Sequence, residues 1–167
     1  MKFAHILQVA IFSAFLAGCA GSVSAPVPVQ ALSAADKGAL QLSDVTADAD
    51  AGVTMSDADF GLVSQKVRAE IEAQSPGIFA SKPGGNPLKI NIHFTRFDRG
   101  SALARAMLMG LGQIKIEATV TLRDAGGKSV AEYKVAKDFA LGGIAGATTT
   151  VEDVETGFAK SVAAIVK

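Results

Sequence analysis

Hydrophobic residues recur along this chain with two periods, and the switch between them marks its elements. Leu88 to Arg96 alternates. Leu88, Ile90, Ile92 and Phe94 point one way, and Lys89, Asn91, His93 and Thr95 the other, as in a strand with one buried face. Ile114 to Arg123 repeats the pattern: Ile116, Ala118, Val120 and Leu122 are inward, and Lys115, Glu117, Thr119 and Thr121 outward. Asp124-Ala125-Gly126-Gly127 predicts a hairpin turn, with glycines free to take positive φ. The return strand runs from Ser129 to about Phe139. Ala131, Tyr133, Val135 and Phe139 share a face that Lys137 interrupts. An earlier strand is predicted over Ala39–Val45, from Leu40 and Leu42.

Between these strands the period lengthens. Phe60, Val63, Val67 and Ile71 recur at three and four residues, predicting a helix to about Gln74. Ser56 with Asp59 three residues on supplies its N-cap, and Ser75-Pro76-Gly77 its end. Ser81–Pro87 reads as a turn. Val154, Phe158, Val162 and Ile165 predict a second helix, capped by Thr150 with Asp153, running to the C-terminus. Lys160 and Lys167 complement its negative end. The predicted order is β-α-β-β-β-α. The expected class is α+β: a two-layer sandwich of about four mainly antiparallel strands with two helices on one face.

Asp44, Asp48 and Asp50 alternate with small residues and read as a solvated loop. A calcium loop would need a denser ligand register and a bidentate Glu. Two further segments are unusually apolar and glycine-rich for loops: Asp98–Gly112 and Ala140–Thr149. Neither has the glycine spacing of a dinucleotide site or the Lys-Ser/Thr ending of a phosphate loop. Two readings stay open for the first. It is a short helix at Ala102–Met109 covering a sheet edge, or a contact surface for a partner, a second copy or a membrane. In the contact reading Met107, Leu108 and Leu111 join Leu103, and Arg105 and Arg99 form the rim.

The N-terminus carries an address. A weakly basic start is followed by an apolar run from Ile6 to Ala17, too short to span a membrane as a mature helix, and then by Leu16-Ala17-Gly18-Cys19. That stretch resembles the lipobox of bacterial lipoproteins. The resemblance implies cleavage before Cys19 and acylation of that residue, which anchors the chain in the bilayer. An ordinary secretory cut near Val23-Ser24-Ala25 is the other reading. Ala20, where an Asp would resemble an inner-membrane retention signal, favours the outer membrane facing the periplasm. The expected organisation is a signal peptide over 1–18, a lipid-anchored tether over 19–37 and one domain over 38–167.

Composition narrows the chemistry. The 167 residues hold 16 Lys+Arg and 16 Asp+Glu, so the chain offers no basic footprint for nucleic acid. Losing residues 1–18 removes Lys2 and no acid, which moves the net charge from zero to −1. The single cysteine excludes an intramolecular disulfide, and after processing His93 is the one histidine left. No nucleophile motif surrounds His93, and Lys115 and Lys134 accompany Glu117 and Glu132. The expectation is therefore a non-enzymatic protein with no metal and no cofactor.

From Leu88 onward the chain resembles an uncharacterised family of small bacterial lipoproteins, the domain of unknown function DUF4410. Arg96 and Arg99 fit an arginine region. Arg105, Gly110 and Gly112 fit a glycine loop. Asp124 with Gly126 or Gly127 fits a hairpin, and the glycine-rich 142–146 segment and closing helix follow. The resemblance implies a lipoprotein without an established activity. The expected function is a structural or protein-binding module of the envelope. The alternative is an accessory lipoprotein holding an apolar or lipid ligand, for which Phe60, Ile92, Phe94 and Phe158 would line a cavity. A third class, an enzyme, would gather His93 with Glu117 or a serine.

Overall fold

The computed structural model describes residues 25–80, 85–107, 112–139 and 148–167. The alternating segments form strands, but the sheet is larger than the pattern predicts. Among the described residues there are five strands and four helices, in the order β-α-β-α-β-α-β-β-α. They are β1 (Val27–Gln30), α1 (Ala34–Gly38), β2 (Leu42–Ala49), α2 (Asp57–Gln74), β3 (Leu88–Asp98), α3 (Ala102–Met107), β4 (Ile114–Arg123), β5 (Ser129–Phe139) and α4 (Val151–Ala163). The strands lie in the order β1-β5-β4-β3-β2. The expected four-stranded, two-helix arrangement is thereby corrected.

The extra strand comes from the segment read as a tether. Val27 and Pro28 pair antiparallel with Lys134 and Tyr133 on β5. Pro28 lacks an amide donor, which suits an edge strand and hides the segment from a strand reading. Leu32 then drops into the core at 5% exposure, and its amide donates to the Tyr133 hydroxyl at 2.8 Å. Ser33 caps the short α1 by accepting from the Asp36 amide. The domain therefore includes residues that precede its expected start at 38.

The acidic loop is also corrected. Asp44 and Asp48 lie within β2, which pairs parallel with β3 from Leu42↔Leu88 to Ala49↔Phe94, and Asp50 follows its last residue. Aspartate is a poor strand former, and that weakness suggested a loop. Here the carboxylates project from the polar face toward basic groups on β3. Asp44 lies 4.0 Å from Lys89, and Asp48 faces His93. The Asp50 amide extends the ladder to the Phe94 carbonyl at 3.0 Å.

Helix α2 crosses from β2 to the parallel strand β3, as parallel neighbours require. Its capping box is complete: the Ser56 side chain accepts from the Asp59 amide, and Asp59 accepts from the Ser56 amide. Thr150 and Asp153 repeat the device at α4. Both helices cover one face of the sheet. Val63, Val67 and Ile71 of α2 and Val154, Phe158 and Val162 of α4 are buried against Ile90, Ile92, Phe94, Val120 and Leu122. The helix stripe ends at Ala163, and Ile165 and Val166 are buried beyond it.

Two local oddities explain each other. Lys137 sits on the core face of β5, only 8% exposed, and Gly157 lies inside α4. A Cβ on Gly157 would fall 2.9 Å from Lys137 Cε. The missing side chain leaves a channel for the lysine stem, and this packing offsets the helix-propensity cost of glycine.

Candidate functional site

The polar face of the sheet is built by the outward residues of β2, β3, β4 and β5. At its β2 edge, register places Asp48 beside His93. His93 Nδ1 meets Asp48, and Nε2 lies 3.0 Å from Asp50 Oδ1. Asn91 donates to the second Asp48 oxygen at 2.9 Å. With a carboxylate at each ring nitrogen, the surroundings favour the cationic form of the imidazole. Hydrogen bonds to Asp48 and Asp50 raise its pKa, against a smaller opposing effect of burial. Burial alone would raise the Asp48 pKa, but hydrogen bonds to Asn91 and His93 and the His93 charge bring it below the ordinary carboxylate value. Such a histidine is an ionic cross-link between β3 and the end of β2. Both of its ring nitrogens are engaged by carboxylates.

The carboxylates predicted as companions of His93 lie elsewhere. Thr119 is its neighbour across β4, and Glu117 lies opposite Arg96. Glu117 and Glu132 are not cross-strand partners either, since they face Ala136 and Thr121. No group of three or more His, Cys, Asp or Glu among the described residues could hold a metal ion.

A second constellation lies where β3 ends and β4 begins. A bulge between Phe94 and Arg96 shifts the register, so that Arg96 and Asp98 both project from the polar face opposite Glu117 and Lys115. Arg96 Nε is 2.6 Å from Asp98. Arg99 reaches past the strand end to Asp59 at 2.7 Å, with its guanidinium 5.4 Å from the Phe97 ring. That contact joins the sheet end to the first turn of α2. It helps hold the Asp59 pKa low, after the larger effect of the Ser56 cap. Gly100 and Gly112 carry positive φ of 63° and 68° and close the neck of the insertion, where the Ser101 amide bonds the Gly112 carbonyl at 3.1 Å. Between them lies an open hollow of about 560 Å³, lined by Thr54, Arg96, Asp98, Arg99, Gln113 and Lys115 among others. Its cations are matched by Asp98, Asp59 and Glu117, so it carries no marked charge.

The contact residues predicted from sequence gather at this end only in part. Helix α3 carries the backbone of Arg105 and Met107 and leaves Leu103 69% exposed. The side chains of Arg105 and Met107, and Leu108 and Leu111 altogether, lie outside the described residues, as do the predicted signal peptide, Cys19 and the 140–147 segment. Sequence reasoning missed the His93 cross-link. Its signal was the period-two spacing of Asp44, Asp48 and Asp50, which matches a strand. Phe60, Phe94 and Phe158, expected to line a ligand cavity, pack on one another instead, with ring centroids 6.5 and 5.5 Å apart.

No helix among the described residues is long and apolar enough to cross a membrane. No curated protein matches the sequence. Among solved structures, the chain is similar to a PelC dodecamer from Paraburkholderia phytofirmans, at 13% identity over 79% of this chain and 89% of that one, with a TM-score of 0.51. This is a likeness of fold. A crystal structure described as a "putative lipoprotein", from Caulobacter crescentus CB15, matches at 15% identity over 78% of this chain and 88% of that one, with a TM-score of 0.40. A family model matches residues 32–143, from Leu32 just after β1 through both hairpin strands, and so the chain belongs to the family described as a domain of unknown function, DUF4410.

Proposed function

We propose that this protein is a lipid-anchored component of a bacterial envelope, acylated on Cys19, with its domain facing the periplasm from the outer membrane. The observation that carries the reading is the Leu16-Ala17-Gly18-Cys19 box after an apolar run, a few residues ahead of the first strand at Val27. The domain acts as a non-enzymatic structural or protein-binding module. Support for this part comes from His93, whose ring nitrogens are both engaged by carboxylates. The close packing of Phe60, Phe94 and Phe158 weighs against an apolar ligand held between helices and sheet.

The PelC protein of similar fold is a dodecamer, so a second copy of this chain is the first partner to test. Membranes carrying the native protein or Leu108→Asp are crosslinked, and the captured partners are compared. The account expects a partner, self or other, to disappear with Leu108→Asp. An unchanged partner set removes the first insertion from the contact surface.

A further inference from the structure

The His93 ring has two nitrogens, and a carboxylate stands at each. Asp48 meets Nδ1, and Asp50 Oδ1 lies 3.0 Å from Nε2. The cationic ring carries an N–H on both nitrogens and serves both carboxylates. The neutral ring carries one N–H, so one carboxylate must then face a bare lone pair, acceptor against acceptor. Their surroundings decide which one. Asp48 lies inside β2, in register with His93, and its second oxygen accepts from Asn91 at 2.9 Å. Asp50 stands past the last residue of β2 with its side chain 58% exposed, and among the described residues no second side chain donates to it.

We propose that His93 is a proton-operated latch on the turn between β2 and α2. The cationic ring holds Asp48 and Asp50 together. The neutral ring keeps its proton on Nδ1 for Asp48 and releases the Asp50 carboxylate to water. The backbone of the turn holds its course: the Asp50 amide bonds the Phe94 carbonyl at 3.0 Å, the Val53 amide bonds the Asp50 carbonyl at 2.9 Å, and Val53 and Met55 pack against the core. The change falls on the Asp50 side chain and on the exposed Ala51 and Gly52 after it. That connection runs on to Thr54 in the wall of the hollow and to Ser56, the cap of α2. The released carboxylate therefore alters the surface offered to a partner beside that hollow.

Other charges around the ring are already matched or distant. Its neighbour on β4 is the neutral Thr119, with Lys134 of β5 beyond it. Glu117 lies opposite Arg96, and Lys89 is 4.0 Å from Asp44. The helices pack on the other face of the sheet. Hydrogen bonds to Asp48 and Asp50 raise the ring's pKa, so the latch opens on the alkaline side of about pH 6.5. It does not depend on acylation of Cys19.

Cut before Cys19 or near Ala25, the chain carries His93 as its one histidine, so its ring signals stand alone in a nuclear magnetic resonance spectrum. The isotope-labelled mature protein, solubilised in detergent, is titrated from acid to alkaline pH. Ring nitrogen shifts report the proton count and the tautomer, carboxyl carbon shifts report Asp48 and Asp50, and amide shifts report Ala51 and Gly52. The expected result is one ring titration with a midpoint above about pH 6.5, leaving the proton on Nδ1. The Asp50 carboxyl and the Ala51 and Gly52 amides move with that midpoint. Asp50→Asn should lower the midpoint, and His93→Gln should abolish the response at Ala51 and Gly52. A neutral ring protonated on Nε2, or Asp50, Ala51 and Gly52 signals that stay flat through the ring titration, overturns the latch. So does a midpoint that Asp50→Asn leaves unchanged.

Discussion

Replacing Tyr133 with Phe removes a single oxygen, and its effect depends on whether residues 27–38 belong to the domain. In the fold, the Tyr133 hydroxyl accepts from the Leu32 amide at 2.8 Å in a buried setting. Phe leaves the ring packing in place and strands that amide without an acceptor. A buried donor deprived of its partner costs about 1–3 kcal/mol. Leu32→Ala attacks the same docking from the apolar side. Leu32 is 5% exposed, and because it sits in a terminal segment that can relax, its loss falls toward the lower end of about 2–5 kcal/mol. Both changes release one segment, so the double variant should lose less than the sum, by about 0.5 kcal/mol or more. The chain has no tryptophan, so urea unfolding of the mature Cys19→Ser protein is best followed by far-ultraviolet circular dichroism. If Tyr133→Phe stays within about 0.5 kcal/mol of the parent, the reasoning fails and the segment is a tether.

Phe158→Ala removes one ring of the aromatic cluster, fully buried 5.5 Å from Phe94, and should cost about 3–5 kcal/mol in the same urea assay. A loss below about 1.5 kcal/mol would mean a loosely packed cavity there. The His93 cross-link gives a pH signature of fixed sign. Because the folded pKa is raised above the ordinary value near 6.5, its contribution is fully present below about pH 6.5 and fades as pH rises through the folded value. Asp48, with its pKa lowered, contributes above about pH 3.9 and loses that contribution as pH falls through its folded value. His93 is 39% exposed and Asp48 56%, so solvent screening keeps the pair near the surface range of at most about 1 kcal/mol. The stability gap between parent and His93→Gln should therefore be wider at about pH 5.5 than at about pH 9. A gap that widens at high pH contradicts the cationic assignment.

Period and capping carried the two long helices and the three inner strands. Ile90, Ile92 and Phe94 alternate without interruption, and Ser56 and Thr150 announce helix starts that the chain honours. The edges of the sheet were harder to read, for a physical reason. An edge strand has one neighbour and needs no continuous apolar face. β1 is thus four residues with a proline, and β2 carries Asp44 and Asp48, whose partners Lys89 and His93 come from another strand. No local pattern contains that partner. The same holds for Lys137, whose stem is accommodated by Gly157 on α4. At the candidate site, the arginines at 96 and 99 were visible as residue types. Their partners Asp98 and Asp59, and the bulge that aims Arg96, depend on tertiary register.

The central claim is that Cys19 carries the chain into a membrane. Intact mass measurement of the protein extracted from membranes of its expressing bacterium tests it directly. The account predicts a chain that begins at Cys19, is heavier than the polypeptide by a diacylglycerol and an amide-linked acyl chain, and becomes unacylated on Cys19→Ser. A chain of plain polypeptide mass that begins near Ala25 would contradict it.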